Sequence, residues 1–314
     1  MIRKKARRFA LSLCVMSLAL AVSGCEQNVF KGLVKDTTPK DTKTLIESGN
    51  YTEAIQKADE VINNSASTTE QKQNAYVDKG TALLGKNNVE FANILSVVSD
   101  LTKDTIDTQS VFNKTKEVLP ISVTDAQDSA DAFNLAYELG LSSHVTLRLS
   151  SSLIGTNSII ASLNETTQYR RGVANATVVI KMATRYLDIN NDGSNTSATL
   201  NALAVEENKT WVDVLLYLSN PPKEIFYYAS NAYEGFKKSN ALTESQLTTI
   251  KKLVTVSRNI KNLRAAYLSS STFTVVDFNN QPTGIYSSPR AFNVSHTEDD
   301  MLRECLTEIV RASK

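Results

Sequence analysis

Apolar residues recur through most of this chain at intervals of three and four. Residues 51–62 set Tyr51, Ala54, Ile55, Ala58, Val61 and Ile62 on one stripe, the pattern of a helix that buries one face. The period returns in Ile225, Phe226, Ala229, Ala232, Tyr233 and Phe236, where Asn220-Pro221-Pro222 predicts a helix opening on a cap and a first-turn proline. It returns again over 243–268 in Leu247, Ile250, Leu253, Val254, Ile260, Leu263 and Tyr267, behind Thr243 and Gln246 at capping-box spacing. Between Ser269 and Ser295 the pattern lapses. There Thr272 to Phe278 is β-branched and aromatic, and Pro282, Gly284 and Pro289 follow, which predicts a long loop with one extended segment. A last helix is predicted over about 297–312. The whole reads as an all-α body of about ten antiparallel helices, solenoid-like and uncut by an internal linker. Only 11 glycines and 6 prolines among 314 residues suit long helices with few connections.

The first residues follow a different pattern. Arg3, Lys4, Lys5, Arg7 and Arg8 precede a fourteen-residue apolar stretch from Phe9 to Val22, the layout of a signal peptide. A permanent membrane span needs about 20 apolar residues, so this stretch is short for one. Its closing residues, Val22-Ser23-Gly24-Cys25, resemble the lipobox of bacterial lipoproteins. That resemblance implies cleavage before Cys25 and covalent lipid on it, an anchor made durable by two or more acyl chains. It divides the chain into a signal peptide (1–24), a lipidated tether (25–41) that is polar and without period, and a helical domain (42–314). Glu26 stands where, in the enterobacterial sorting rule, an aspartate retains a lipoprotein at the inner membrane. The expected location is therefore the outer membrane, facing periplasm or surface.

Charge and chemistry narrow the classes further. Removing the five leader cations from 34 lysines and arginines leaves 29 against 33 acids, a net charge of −4. A mildly acidic domain without a basic block has no footprint for nucleic acid. Cys14 leaves with the leader and Cys25 carries lipid, so Cys305 is a lone thiol, read as a small buried apolar residue. His144 and His296 are too few for the familiar zinc sites, and the chain has no nucleophile elbow, phosphate loop or Cys-x-x-Cys pair. Glu206-Glu207 and Asp299-Asp300 read as solvated surface doublets. No catalytic residues are expected, and the chain is read as a non-enzyme.

Two segments carry more specific signals. Gly49-Asn50-Tyr51-Thr52-Glu53-Ala54-Ile55, with Ala58, then Ala75-Tyr76, Gly80 and Ala92, resembles a tetratricopeptide repeat over about 42–100. The resemblance implies close helix pairs, here Tyr51, Ala54, Ala58, Gly80 and Ala92, and a concave face for a peptide. The usual Trp, Leu and Pro positions are unfilled. Asp188-Ile189-Asn190-Asn191-Asp192-Gly193 matches the first half of an EF-hand calcium loop, with oxygen ligands alternating and glycine at the turn. Asp188, Asn190, Asp192 and Ser194 are the candidate ligands. Thr199 stands where the bidentate glutamate belongs, leaving Glu206 or Glu207 to complete the shell; an Asx-turn ending a helix explains the same residues.

The expected function is a membrane-anchored binding or scaffold module for another envelope component. One alternative resembles the helical T component of tripartite periplasmic transporters, a binder of small ligands; another is an envelope hydrolase acting through carboxylates. An apolar tunnel through the body would favour the small-ligand binder, an open concave groove the scaffold, and two facing buried carboxylates the hydrolase.

Overall fold

Ten consecutive residues, Arg171 to Ile180, are buried on every side and mark the centre of the fold. The computed structural model describes residues 41–90, 92–94, 96–97, 108–150, 163–185, 211–221, 223–277 and 279–287, with Met301, Leu302, Cys305 and Ile309. For 108–112, 142–150, 184–185 and 211 the description covers the backbone alone. The fold is all-α. In chain order the helices are α1 (Thr42–Glu47), α2 (Tyr51–Asn63), α3 (Thr69–Lys86), α4 (Thr108–Val118), α5 (Val123–Ser150), α6 (Glu165–Arg185), α7 (Trp211–Leu218), α8 (Ile225–Ser239) and α9 (Glu244–Ser269). A hairpin of β1 (Thr272–Val276) and β2 (Pro282–Ser287) follows.

Local chemistry sets the helix ends. Asp41 accepts from the Thr44 amide at 2.7 Å to open α1. Thr68 with Gln71 and Thr243 with Gln246 form reciprocal capping boxes on α3 and α9, as the spacing of the second pair predicts. Asn240, at φ 52°, takes the left-handed turn that closes α8, a conformation asparagine tolerates better than most residues.

The helices pack as an array in which most elements meet the next or the next but one along the chain. α1 and α2 lie against α3, α3 against α5, α5 against α6, α6 against α8, and α8 against α9, which carries the hairpin. One continuous core runs from Leu84 through Phe133, Ile180, Phe236 and Leu263 to Ile309; Leu45, Ala54 and Ala82 form a small satellite. The closest approach is between α6 and α8. A Cβ on Gly235 would stand 2.7 Å from the Gly172 nitrogen and 2.8 Å from the Gln168 carbonyl oxygen, so the two backbones meet where only glycine fits.

Three details differ from the sequence reading. Ala54 and Ala58 are buried between helices as expected, but Gly80 faces Phe133 of α5, Tyr51 packs on Gly85, and Ala92 is exposed. The predicted loop with one extended segment is a two-stranded antiparallel hairpin, pairing Phe273 with Tyr286 and Val275 with Gly284. Phe273 and Val275 bury against α9, where the Asn259 amide donates to the Val276 carbonyl at 2.8 Å and accepts from its N–H at 3.0 Å. Finally, α8 begins at Ile225 with Glu224 at its N-cap, five residues after the asparagine expected to open it. Met301, Leu302, Cys305 and Ile309 are helical, as the predicted last helix requires.

Candidate functional site

A cleft of about 640 Å³ opens where α5, α6, α7 and α9 meet the connection between α7 and α8. Met182, buried on α6, and Leu216 and Tyr217 on α7 supply its apolar wall. Gln127 of α5 and Asn220 of the connection add amides, and Pro221 stiffens the wall beside Asn220. Lys223, from the connection, and Arg264, from α9, bring positive charge.

The two cations stand in different electrostatic circumstances. The Lys223 ammonium pairs with the Asp131 carboxylate on α5, and the Tyr228 hydroxyl donates to the same carboxylate at 3.3 Å. Burial and then the charge on Asp131 push the Tyr228 hydroxyl far above the ordinary tyrosine range, so it remains a donor. Arg264 pairs with no carboxylate among the described residues, and its buried Nε meets no acceptor there. Next to Lys223 in sequence, Glu224 is 5% exposed and accepts from Lys261 of α9 at 2.5 Å through Oε1. Its Oε2 is buried without a partner among the described residues.

A second polar centre lies deeper, on the central helix. Arg171, 2% exposed, donates from Nε to Asn134 Oδ1 at 2.9 Å, from Nη1 to Gln168 Oε1 at 3.4 Å, and from Nη2 to Asn231 Oδ1. Its guanidinium stacks on the Tyr137 ring, 4.0 Å from the centroid. Asn134 and Asn175 exchange amide hydrogen bonds at 3.0 and 3.1 Å, and Asn175 also donates to the Arg171 carbonyl at 2.9 Å. Burial pulls the Arg171 pKa down, opposed by Tyr137, Tyr227, Glu234 and Glu138 nearby. This centre joins α5, α6 and α8 through neutral acceptors and reads as structural.

The residues singled out in the sequence are placed unevenly. Cys25, Asp188, Asn190, Asp192 and Ser194 lie outside the described residues, as do Glu206, Glu207, His296 and the Asp299-Asp300 doublet. His144 falls on α5, its side chain undescribed. Cys305 is half-buried beside the core. Among the described residues no three His, Cys, Asp or Glu side chains are grouped to hold a metal ion, and no helix is long and apolar enough to cross a membrane. Lys223, Arg264 and Gln127 escaped the sequence reading because they come from three distant segments. Gln168, Arg171 and Asn175 carried a signal, since their spacing puts three polar groups on one face of an otherwise buried helix. Comparison with protein-family models, curated proteins and solved structures finds no match for the chain.

Proposed function

We propose that this protein is an envelope lipoprotein, tethered by lipid on Cys25, whose helical body is a binding module that takes a small molecule in the cleft beside α7. The cleft carries the proposal. Its volume of about 640 Å³ falls within the range of small-molecule sites, and it has their makeup, an apolar wall with a few polar groups converging on it. It is an open cleft where a tunnel through the body is expected of a ligand binder, and its lining still supports that reading over the scaffold. The hydrolase reading calls for two facing buried carboxylates; among the described residues the buried carboxylate is Glu224, tied to Lys261. Tetratricopeptide-like packing over 42–100 and the calcium loop at Asp188, Asn190, Asp192 and Ser194 stay part of the proposal as supports of the body.

The test is to purify the full-length acylated protein from its own envelope in mild detergent and weigh it by native mass spectrometry. A bound small molecule is expected in the wild type and lost in Leu216→Trp, which fills the cleft. Identical spectra for the two would refute the reading. A protein partner that copurifies equally with both would favour the scaffold instead.

A further inference from the structure

We infer that the cleft selects a small organic carboxylate, with Arg264 as the group that holds the anion. This rests on the ligand-binding reading above and adds to it the charge and chemical class of the ligand. Two of the cations around the cleft are already matched by carboxylates. Lys223 is neutralised by Asp131, and Lys261, on the same face of α9 as Arg264, by Glu224. Arg264 alone among the cleft's two cations has no carboxylate partner among the described residues, and its buried Nε lacks any acceptor there. An unmatched guanidinium in a half-buried wall is a poor arrangement for a protein by itself, since removal from water is offset only by a partner. It is a good arrangement for binding, because the two terminal Nη donors of a guanidinium match the two oxygens of a carboxylate.

The rest of the wall describes the rest of the ligand. Met182, Leu216 and the Tyr217 ring offer apolar contact, so the anion is expected at one end of a short hydrocarbon body. Asn220 and Gln127 can each donate or accept, which accommodates a hydroxyl or keto group near the carboxylate without demanding one. Lys223 supports the anion from the connection at longer range, its charge being shared with Asp131.

The experiment uses the full-length acylated protein in lipid nanodiscs, with empty nanodiscs as the blank. The probes are hexanoate and its uncharged isostere hexanamide, titrated by calorimetry. Hexanoate is expected to bind about 10- to 100-fold more tightly than hexanamide, the ratio a charge-assisted pair supplies. Arg264→Gln should erase that difference by weakening hexanoate and leaving hexanamide unchanged. A wild-type readout that needs no stable variant is the Arg264 Nε–H resonance, which should move with hexanoate and not with hexanamide. Equal binding of both probes, or hexanoate binding undiminished in Arg264→Gln, overturns the carboxylate assignment while leaving a ligand cleft in place. No saturable hexanoate binding in the millimolar range overturns it too. The broader reading falls separately, if Leu216→Trp and wild type carry the same small molecules from the envelope.

Discussion

Arg171 offers the sharpest test of how the body is held together. It is a buried cation whose hydrogen-bond partners are all neutral, Asn134, Gln168 and Asn231, with a tyrosine ring beneath it. Truncation to alanine removes a long side chain from a filled site, which typically costs about 2 to 5 kcal/mol. It also strands acceptors: Asn134 Oδ1 keeps its bond from Asn175, but Asn231 Oδ1 and Gln168 Oε1 lose their donor, at about 1 to 3 kcal/mol each. Against these stands relief of a desolvated charge, several kcal/mol of opposite sign. The expected net loss for Arg171→Ala is therefore about 3 to 5 kcal/mol.

Arg171→Met separates the contributions. It keeps most of the volume and discards the charge, so it should cost about 2 kcal/mol or less. Adding Asn231→Leu removes one stranded acceptor and should recover part of that, with a coupling of at least about 0.5 kcal/mol. Arg171→Lys keeps the charge without the fork that reaches three partners, and should fall between Ala and Met. The assay is urea unfolding of the full-length protein in mild detergent, followed by far-ultraviolet circular dichroism. An alanine variant within about 1 kcal/mol of wild type, the scale of an ordinary surface change, would refute the reasoning, as would methionine destabilising more than alanine.

Gly235→Ala forces a Cβ against the backbone of α6 and should destabilise by about 1 to 3 kcal/mol even after the helix propensity gained, whereas Gly85→Ala meets only the half-buried Tyr51 ring, which can swing aside; thermal melts of the two decide it. Burial, and then the nearby Asp41 charge, raise the Asp78 pKa to about 6, so its contribution is full at pH below the ordinary carboxylate range and lost as pH rises through 6. Asp78→Asn should accordingly match wild type near the acid end and melt higher at pH 8, by an amount on the order of 1 kcal/mol because the carboxyl is partly solvated. Labelled palmitate should enter the wild-type protein and not Cys25→Ala. Calcium at about 1 mM should raise the melting temperature more than magnesium does if Asp188, Asn190, Asp192 and Ser194 hold it with Kd of about 0.1 mM, and Asp188→Ala with Asp192→Ala should abolish the difference.

The helices were legible because their burial follows the helical period, and the all-α class came with them. The second strand was not. Its inward positions are Gly284 and Tyr286, and its large apolar residue, Ile285, is 74% exposed, so alternation of apolar residues never appears in the sequence. The start of α8 was misplaced for a related reason. Asn220 and Pro221 have the chemistry of a helix opening, but they stay outside the helix and form the rim of the cleft. The tetratricopeptide-like spacing led to Ala54 and Ala58 correctly and to Ala92 wrongly, because small residues fit exposed helix faces as readily as tight ones. The cleft itself has no local signature: its charged and polar residues lie up to 137 positions apart, from Gln127 to Arg264, and only the packing of α9 beside α7 and α8 brings them together.

The same geometry braces the wall of the cleft. The connection between α7 and α8 is clamped from two sides, at Lys223 by Asp131 of α5 and at Glu224 by Lys261 of α9. Asp131 is in turn fixed by the Tyr228 hydroxyl, one turn into α8, and α8 is set against α6 by backbone contact at Gly172 and Gly235. Each element that contributes a polar group to the wall is thus braced by a charge pair or a close-packed helix, the arrangement that keeps binding groups preorganised. Arg264 lies three residues beyond Lys261, on the same face of α9. Among the described residues the charges flanking it are spent on holding the connection in place, and the proposed anion site is the guanidinium that this leaves unmatched.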